Sequence, residues 1–238
     1  MLSIIIPTLN EEKYLFALLE TIKKQNFKDY EIIVADAGSK DKTIEIAKNY
    51  GCKITSGGLP AKGRNEGAKI AKGDLLLFLD ADIILPQNFL ENLLNEFKKR
   101  NLDIASSPIL ANERRMDKLV YRFYNLWSRL TQRFLPHAAD VILVKKKIYQ
   151  IIGGFEEEIK LAEDHFFARK AKKTAKARYG FLNIAPVFTS SRRFEKDGRI
   201  RTCAKYILAE AYMVFFGSIK SNTFEYKFDH YTKNKKDI

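Results

Sequence analysis

From Asp74 to Leu85 the chain reads DLLLFLDADIIL, and the five residues LLLFL at its centre carry no polar side chain. A strand with one wet face alternates apolar and polar residues, so an unbroken apolar run fits only a strand covered on both sides. SIIIPT at 3–8 and EIIVAD at 31–36 have the same character, and CKITS at 52–56 is a weaker version of it. A sheet built from such strands has to be clad with helices on both faces.

The intervening segments supply those helices. Leu15, Leu18, Leu19 and Ile22 recur at helical spacing behind Glu11 and Glu12, with Asn10 placed to cap the helix. A short helix closed by Gly51 follows the second strand, and AKGRNEGAKIAKG reads as a helix of small residues. Pro86 suits the first turn of a helix that turns Phe89, Leu90, Leu93, Leu94 and Phe97 inward. Strand and helix alternating in this way predict a doubly wound, mostly parallel sheet, in which ligands bind beyond the carboxyl ends of the strands.

The second half is less regular. Residues 116–133 predict an amphipathic helix with Met116, Leu119, Val120, Phe123, Leu126 and Leu130 inward and arginines outward. VILVKK predicts a strand, GGF at 153–155 a turn, and EDHFFARKAKK a helix start. There is no repeat, linker or composition break, so the expectation is one continuous unit: 1–100 binding a donor, 101–200 serving an acceptor, and 201–238 a helical tail. The absence of a signal pattern in MLSIIIPT predicts a cytoplasmic protein. Cys52 and Cys203 stand apart, with no spacing for a disulfide framework or zinc site.

The formal charge of +13 favours anionic partners, yet no nucleic-acid-binding motif is present, so nucleic acid is an unfavoured ligand. Tyr206, Tyr212, Phe215 and Phe216 would suit a peripheral helix on the cytoplasmic face of an anionic membrane, and core packing explains them equally well.

Asp80 and Asp82 end the greasiest strand two positions apart, which on a strand aims both to one face. Carboxylates without sulfur or imidazole suit Mg2+ or Mn2+, whose shells are completed by water and phosphate. The blander reading is a strand end that caps the next segment.

IPTLNEEKYL, VADAGSKDKT, GRNEGAKIAKGDLLLFLDAD, and GGF followed by AEDHFFARKA resemble, in order, the motifs of family 2 glycosyltransferases. The resemblance spans residues 4–171 and implies a GT-A type α/β fold: a Rossmann-like sheet with an irregular acceptor-side half. It implies inverting transfer from a UDP- or GDP-sugar, with Mn2+ or Mg2+ as cofactor. Pro7, Thr8 and Glu11 would line the nucleoside pocket, Asp36 would contact the base, and Ser39 lies in the same loop. Lys62, Arg64 and Asn65 would sit near ribose and diphosphate, Asp80 near ribose or sugar, and Asp82 on the metal. Ile84 stands where some members have a further ligand.

On the acceptor side the resemblance gives Glu163 and Asp164, with Asp164 the base, Gly153 and Gly154 as a turn, and His165 nearby. Arg192, Arg193, Arg199 and Arg201 in TSSRRFEKDGRIRT would form a mobile basic lid, Arg193 foremost. The acceptor stays open between a lipid-linked sugar, a polyprenyl phosphate and other hydroxyl compounds. A nucleotidyltransferase would need a glycine-rich basic loop that PTLNEEK lacks, and a nonenzymatic polyanion binder would leave the ordered acidic motifs without a purpose.

Overall fold

The computed structural model describes residues 1–112, 114–159 and 161–219. Its main sheet has seven strands in the order β3-β2-β1-β4-β8-β6-β9: β3 (Lys53–Ser56), β2 (Tyr30–Asp36), β1 (Leu2–Thr8), β4 (Leu75–Leu79), β8 (Val141–Lys145), β6 (Ile104–Ser106) and β9 (Tyr179–Phe181). The first four are mutually parallel, and β8 runs antiparallel between β4 and β6. A smaller sheet, β5 (Ile83–Ile84), β10 (Val187–Thr189) and β7 (Ile109–Ala111), sits beyond the end of β4.

The unbroken apolar runs are buried on both faces. On one side α1 (Glu12–Lys23), α2 (Thr43–Asn49) and α4 (Phe89–Lys99) cover Ile4, Ile6, Val34 and Leu77. On the other, α3 (Pro60–Ile70), α6 (Lys146–Ile152) and α7 (Glu163–Thr174) cover Ile5, Ile33, Leu76 and Phe78. The small residues of α3 have a purpose: a Cβ on Gly67 would lie 2.4 Å from Ile5 Cγ2, and one on Gly63 would lie 3.0 Å from Pro7 Cβ. Only glycines let α3 lie this low on the sheet, and that height sets where Arg64 and Asn65 emerge.

Several sequence expectations need correction. Asn10 is no helix cap: it adopts φ +53° and accepts from Lys40 N, while the α1 amides of Glu11 and Glu12 are met by Thr43 Oγ1 and Asp41 Oδ2 of the neighbouring loop. β4 stops at Leu79, so Asp80 and Asp82 belong to the turn before β5, not to a strand face. Pro86 precedes α4, which starts at Phe89. The expected lid at 189–202 is α8 (Arg192–Asp197) followed by the start of α9 (Arg199–Phe216). The C-terminal part of the expected tail, 220–238, lies outside the described residues.

The largest correction concerns α5 (Arg115–Thr131), which faces the opposite way to the reading from periodicity. Asp117, Tyr121, Tyr124, Asn125 and Ser128 point inward, while Met116, Leu119, Phe123, Leu126 and Leu130 are exposed. Asn125 explains the choice: its amide donates to Ile109 O and its carbonyl accepts from Ile109 N, satisfying the backbone of β7 on the side away from β10. Asp117 is sealed in by Arg199, whose Nε donates to Oδ1 at 2.6 Å.

Candidate active site

The polar ends of β1, β2 and β4 and the residue before β8 converge at one edge of the sheet. There the loop after β2 is tied to the loop after β1. Asp36 accepts from Thr8 Oγ1, from the amides of Gly38 and Ser39, and from Ser39 Oγ. Ser39 Oγ in turn accepts from Asn10 N at 2.8 Å. Four donors fill the lone-pair directions of a carboxylate, so a nucleobase N–H reaching Asp36 has to take the place of one hydroxyl.

Arg64 is 3% exposed, and its fork is spent on carboxylates: Nη2 donates to Asp80 Oδ1 at 2.7 Å and Nη1 to Glu163 Oε1 at 2.6 Å. Its guanidinium also lies over the Phe155 ring, 5.3 Å from the centroid. Both terminal nitrogens of the fork that sequence reading offered to phosphate thus meet carboxylates, while Nε is buried without a hydrogen-bond partner among the described residues. Asn65 is likewise committed. Its Nδ2 donates to Phe155 O and Glu157 Oε1, and its Oδ1 accepts from Tyr149 Oη and Phe155 N, which leaves no hydrogen-bonding capacity for a ribose. It fixes the turn at Gly153 and Gly154, with φ +75° and +76°, where a side chain on Gly154 would strike Asn65 Oδ1 at 2.7 Å. Lys62 is exposed and Pro7 is buried under Gly63.

Asp82 meets a different arginine. Arg192, the first residue of α8, donates through Nη1 and Nη2 to the two oxygens of Glu11 at 2.9 and 2.6 Å, and its Nε lies 3.2 Å from Asp82 Oδ2. It stacks over Tyr14, 4.8 Å from the ring centroid. Sequence reading favoured Arg193, which instead donates from Nη1 to Tyr206 Oη at 3.1 Å. Burial pushes Glu11 up to about 7 despite the Arg192 bonds that pull it down.

Asp140 was missed. Because β8 is antiparallel, the residue at its start lies beside the end of β4, and Asp140 O accepts from Asp80 N at 3.0 Å. Burial, then the charges of Asp80 and Asp82, push its carboxyl up to about 7, and its Oδ2 is buried without a hydrogen-bond partner among the described residues. The acid before VILV was legible in the sequence; its neighbour across the sheet was not. Asp80, Asp82 and Asp140 offer hard oxygen donors only; their oxygens do not all lie within 4.8 Å of one another, and Arg193 sets a positive charge against Asp140. The set fits Mg2+ or Mn2+ held by one or two carboxylates and substrate phosphate.

Glu163 and Asp164 open α7, after Ala162 at φ +58°. Burial raises Glu163 although Arg64 opposes it. Burial would raise Asp164 too, but His165 outweighs it and holds the carboxyl below its ordinary range; Asp164 in turn raises His165, whose Nδ1 lies 2.9 Å from Asp164 Oδ1. His165 then meets His137, with ring centroids 5.2 Å apart, and Tyr124, at 6.3 Å. His137 Nε2 lies 3.1 Å from Glu210 Oε1. In the sequence neither histidine has a partner at metal-ligand spacing; Asp164 adjoins His165 in the chain, whereas Glu210 lies 73 positions from His137.

His137, His165 and Glu210 are, among the described residues, the one trio whose ligand atoms all lie within 4.8 Å of one another. Arg169 Nη2 already stands 2.5 Å from Glu210 Oε1, so a cation holds that oxygen without a metal. The trio therefore reads as an ionic network behind Asp164.

A cavity of about 510 Å³ lies at the opposite end of the sheet, lined by Met1, Asp29, Asp74 and Lys145 among others, away from these groups. At the carboxyl edge the space between Glu11 and Asp82 is filled by Arg192.

The family model for glycosyl transferase family 2 matches residues 3–150. Poly(ribitol-phosphate) beta-N-acetylglucosaminyltransferase TarS of Staphylococcus aureus is 30% identical over 218 residues, covering 80% of this chain and 35% of TarS. The chain thus spans about a third of that relative's length. GalNAc(5)-diNAcBac-PP-undecaprenol beta-1,3-glucosyltransferase of Campylobacter jejuni is 26% identical, covering 89% of this chain and 82% of the relative. The structure of S. aureus TarS 1–349 in complex with UDP-GlcNAc aligns with a TM-score of 0.68 at 23% identity, over 96% of this chain and 76% of that one. Mannosyltransferase PcManGT from Pyrobaculum calidifontis, in complex with GDP-Man and Mn2+, aligns at 0.66 with 19% identity, over 91% and 70%. At these identities the likeness is one of fold, the GT-A arrangement anticipated from the motifs.

Proposed function

The chain belongs to glycosyl transferase family 2, and from that premise we propose that it is an inverting, metal-dependent transferase moving a sugar from a UDP- or GDP-sugar to an acceptor oxygen. The observation that carries this reading is the Arg64 bridge, which ties a carboxylate of the donor half, Asp80, to one of the acceptor half, Glu163. It brings the two chemistries of a transfer to one point.

In this reading residues 1–100 hold the donor and 101–200 the acceptor. Thr8, Asp36 and Ser39 frame the nucleoside, with Pro7 beneath and Lys62 at the rim. Asp82, with Asp140 behind it, would hold the cation, and Asp80 faces the ribose or sugar. A bound Mg2+ or Mn2+ supplies positive charge to the leaving diphosphate. Arg192 exchanges its contact with Asp82 for the diphosphate, and Arg193 lies next to it at the rim. Asp164 takes the acceptor proton as the acceptor oxygen bonds to the anomeric carbon and the bond from that carbon to the diphosphate breaks. His165 keeps Asp164 ionised and fixes its orientation, so Asp164 Oδ2 is the free basic atom. Glu163, raised by burial, shares Arg64 with Asp80.

The UDP-GlcNAc and GDP-Man complexes of the structural neighbours support a nucleotide-sugar donor. The undecaprenol-linked acceptor in the name of the Campylobacter relative supports a lipid-linked sugar or polyprenyl phosphate. Calorimetry with UDP and GDP in the presence of Mn2+ tests the donor side. Binding should require Mn2+ and fall at least about tenfold in Asp82→Ala. Equal affinity with and without the metal would end the metal-dependent reading.

A further inference from the structure

Helix α5 carries an apolar stripe that nothing among the described residues covers. Met116, Leu119, Phe123, Trp127 and Leu130 recur at helical spacing on its outer face, and Phe134 extends the line just past its end. Phe123 and Leu130 are each 70% exposed and Phe134 83%. A contiguous apolar stripe of this size on a water-facing surface marks an interaction site. Along one flank run Arg115, Lys118, Arg122, Arg129 and Arg133, none of which pairs with a carboxylate among the described residues. Beside α5 lies α9, joined to it through Arg199 and Asp117, with Ile207, Phe215 and Phe216 at 70%, 79% and 76% exposure.

We propose that α5 seats this protein on an anionic lipid surface, its apolar stripe in the boundary of headgroups and acyl chains and its basic flank on lipid phosphates. The charge pattern chooses the occupant. An isologous pairing of two copies would bring chains of net charge +13 together along this face, whereas anionic headgroups attract them. Long arginine and lysine side chains can lie along the apolar edge while their charges reach the phosphates. Among the described residues no helix is long and apolar enough to cross a membrane, so the contact is a helix lying in the surface plane.

The orientation matters to the site. The inner face of the same helix presents Tyr124 to His165, which holds Asp164. A seat on this face therefore puts the candidate base one side chain from the docking helix. This deepens the transfer reading by naming where a lipid-borne acceptor arrives; binding to lipid itself is independent of that reading.

Trp127 is the sole tryptophan and lies within the stripe, so it reports the contact directly. The full chain is mixed with vesicles of phosphatidylcholine alone or with phosphatidylglycerol added. Co-sedimentation and a blue shift of Trp127 emission should appear only with the anionic lipid. Phe123→Ser with Phe134→Ser should abolish both while leaving Mn2+-dependent nucleotide binding intact. Arg122→Glu should weaken vesicle binding by about fivefold or more, and added salt should do the same. No co-sedimentation overturns the proposal. So does co-sedimentation with Trp127 unmoved, which would assign another surface. A concentration-dependent dimer that buries Trp127 and disappears in the Phe123→Ser, Phe134→Ser variant would replace it with a self-association face. Failure of nucleotide binding with vesicle binding intact would instead count against the transferase reading alone.

Discussion

Arg64 and Arg192 each lie between two carboxylates, yet their surroundings differ. Arg64 comes from α3, a helix pressed so close to the sheet that only glycines fit beneath it, and its partners Asp80 and Glu163 come from opposite halves of the chain. Arg192 arrives on the six-residue helix α8 and spans Glu11 and Asp82 at the rim. Burial alone disfavours the charge of both guanidiniums, and their carboxylates more than compensate. The difference lies in what remains if the arginine goes. Glu11, already raised to about 7, can take a proton near neutrality, whereas removal of Arg64 leaves Asp80 and Glu163 facing each other beside Asp164. One bridge is framework; the other is exchangeable.

The largest expected effect tests the framework end of this comparison. Asp164→Asn should cut turnover by about 10²–10⁴-fold while leaving nucleotide affinity unchanged. A product assay beside calorimetry checks it, and near-normal turnover would move the base elsewhere.

The comparison itself is tested by paired stability measurements. Arg64→Ala should cost about 3–5 kcal/mol, as expected for an uncompensated buried charge, and Arg192→Ala only about 1.5–3 kcal/mol. Urea denaturation of both at neutral pH gives the ratio; equal losses would mean that the rim bridge is as structural as the buried one.

The smallest effect concerns Asp140, behind the rim. Its folded pKa, and that of Glu11, is raised to about 7 from 3.8 and 4.5 respectively. Between those limits the folded state holds protons that the unfolded state has released, so these groups cost stability as pH rises through the window. Asp140→Asn keeps the neutral form. The variant should match the parent in melting temperature only below about pH 4, pull ahead progressively between about pH 4 and pH 7, and keep that lead at about pH 8 in the absence of divalent cation. Glu210, held down to about 2 mainly by His137 and Arg169 against its burial, behaves oppositely: its stabilisation is lost only as pH falls below the ordinary glutamate range. Identical pH profiles for parent and Asp140→Asn would remove Asp140 from the cation reading.

The strands β1, β2 and β4, and the inward faces of α1 and α4, were legible because each is specified by residues a few positions apart. An apolar run has no dry alternative to the middle of a clad sheet, and Leu15, Leu18, Leu19 and Ile22 can share only one face of a helix. The motif order over residues 4–171 pointed to the family for a similar reason, since motifs are local. The orientation of α5 was a different matter. Its apolar face was visible, but helical periodicity says that two faces differ, not which one meets the core; Asn125 on the β7 backbone and Asp117 on Arg199 made that choice.

What the sequence determined by itself, then, is the sheet, its cladding and the acids at its edge, each fixed by short-range periodicity and by the cost of wetting an apolar strand. The tertiary structure alone decided who neutralises whom. Arg64 meets Glu163 across 99 positions and Arg192 meets Glu11 across 181, while Asp140 reaches Asp80 because β8 runs antiparallel. Electrostatic partnership depends on distance in space and on burial, and neither is set until the chain has closed on itself.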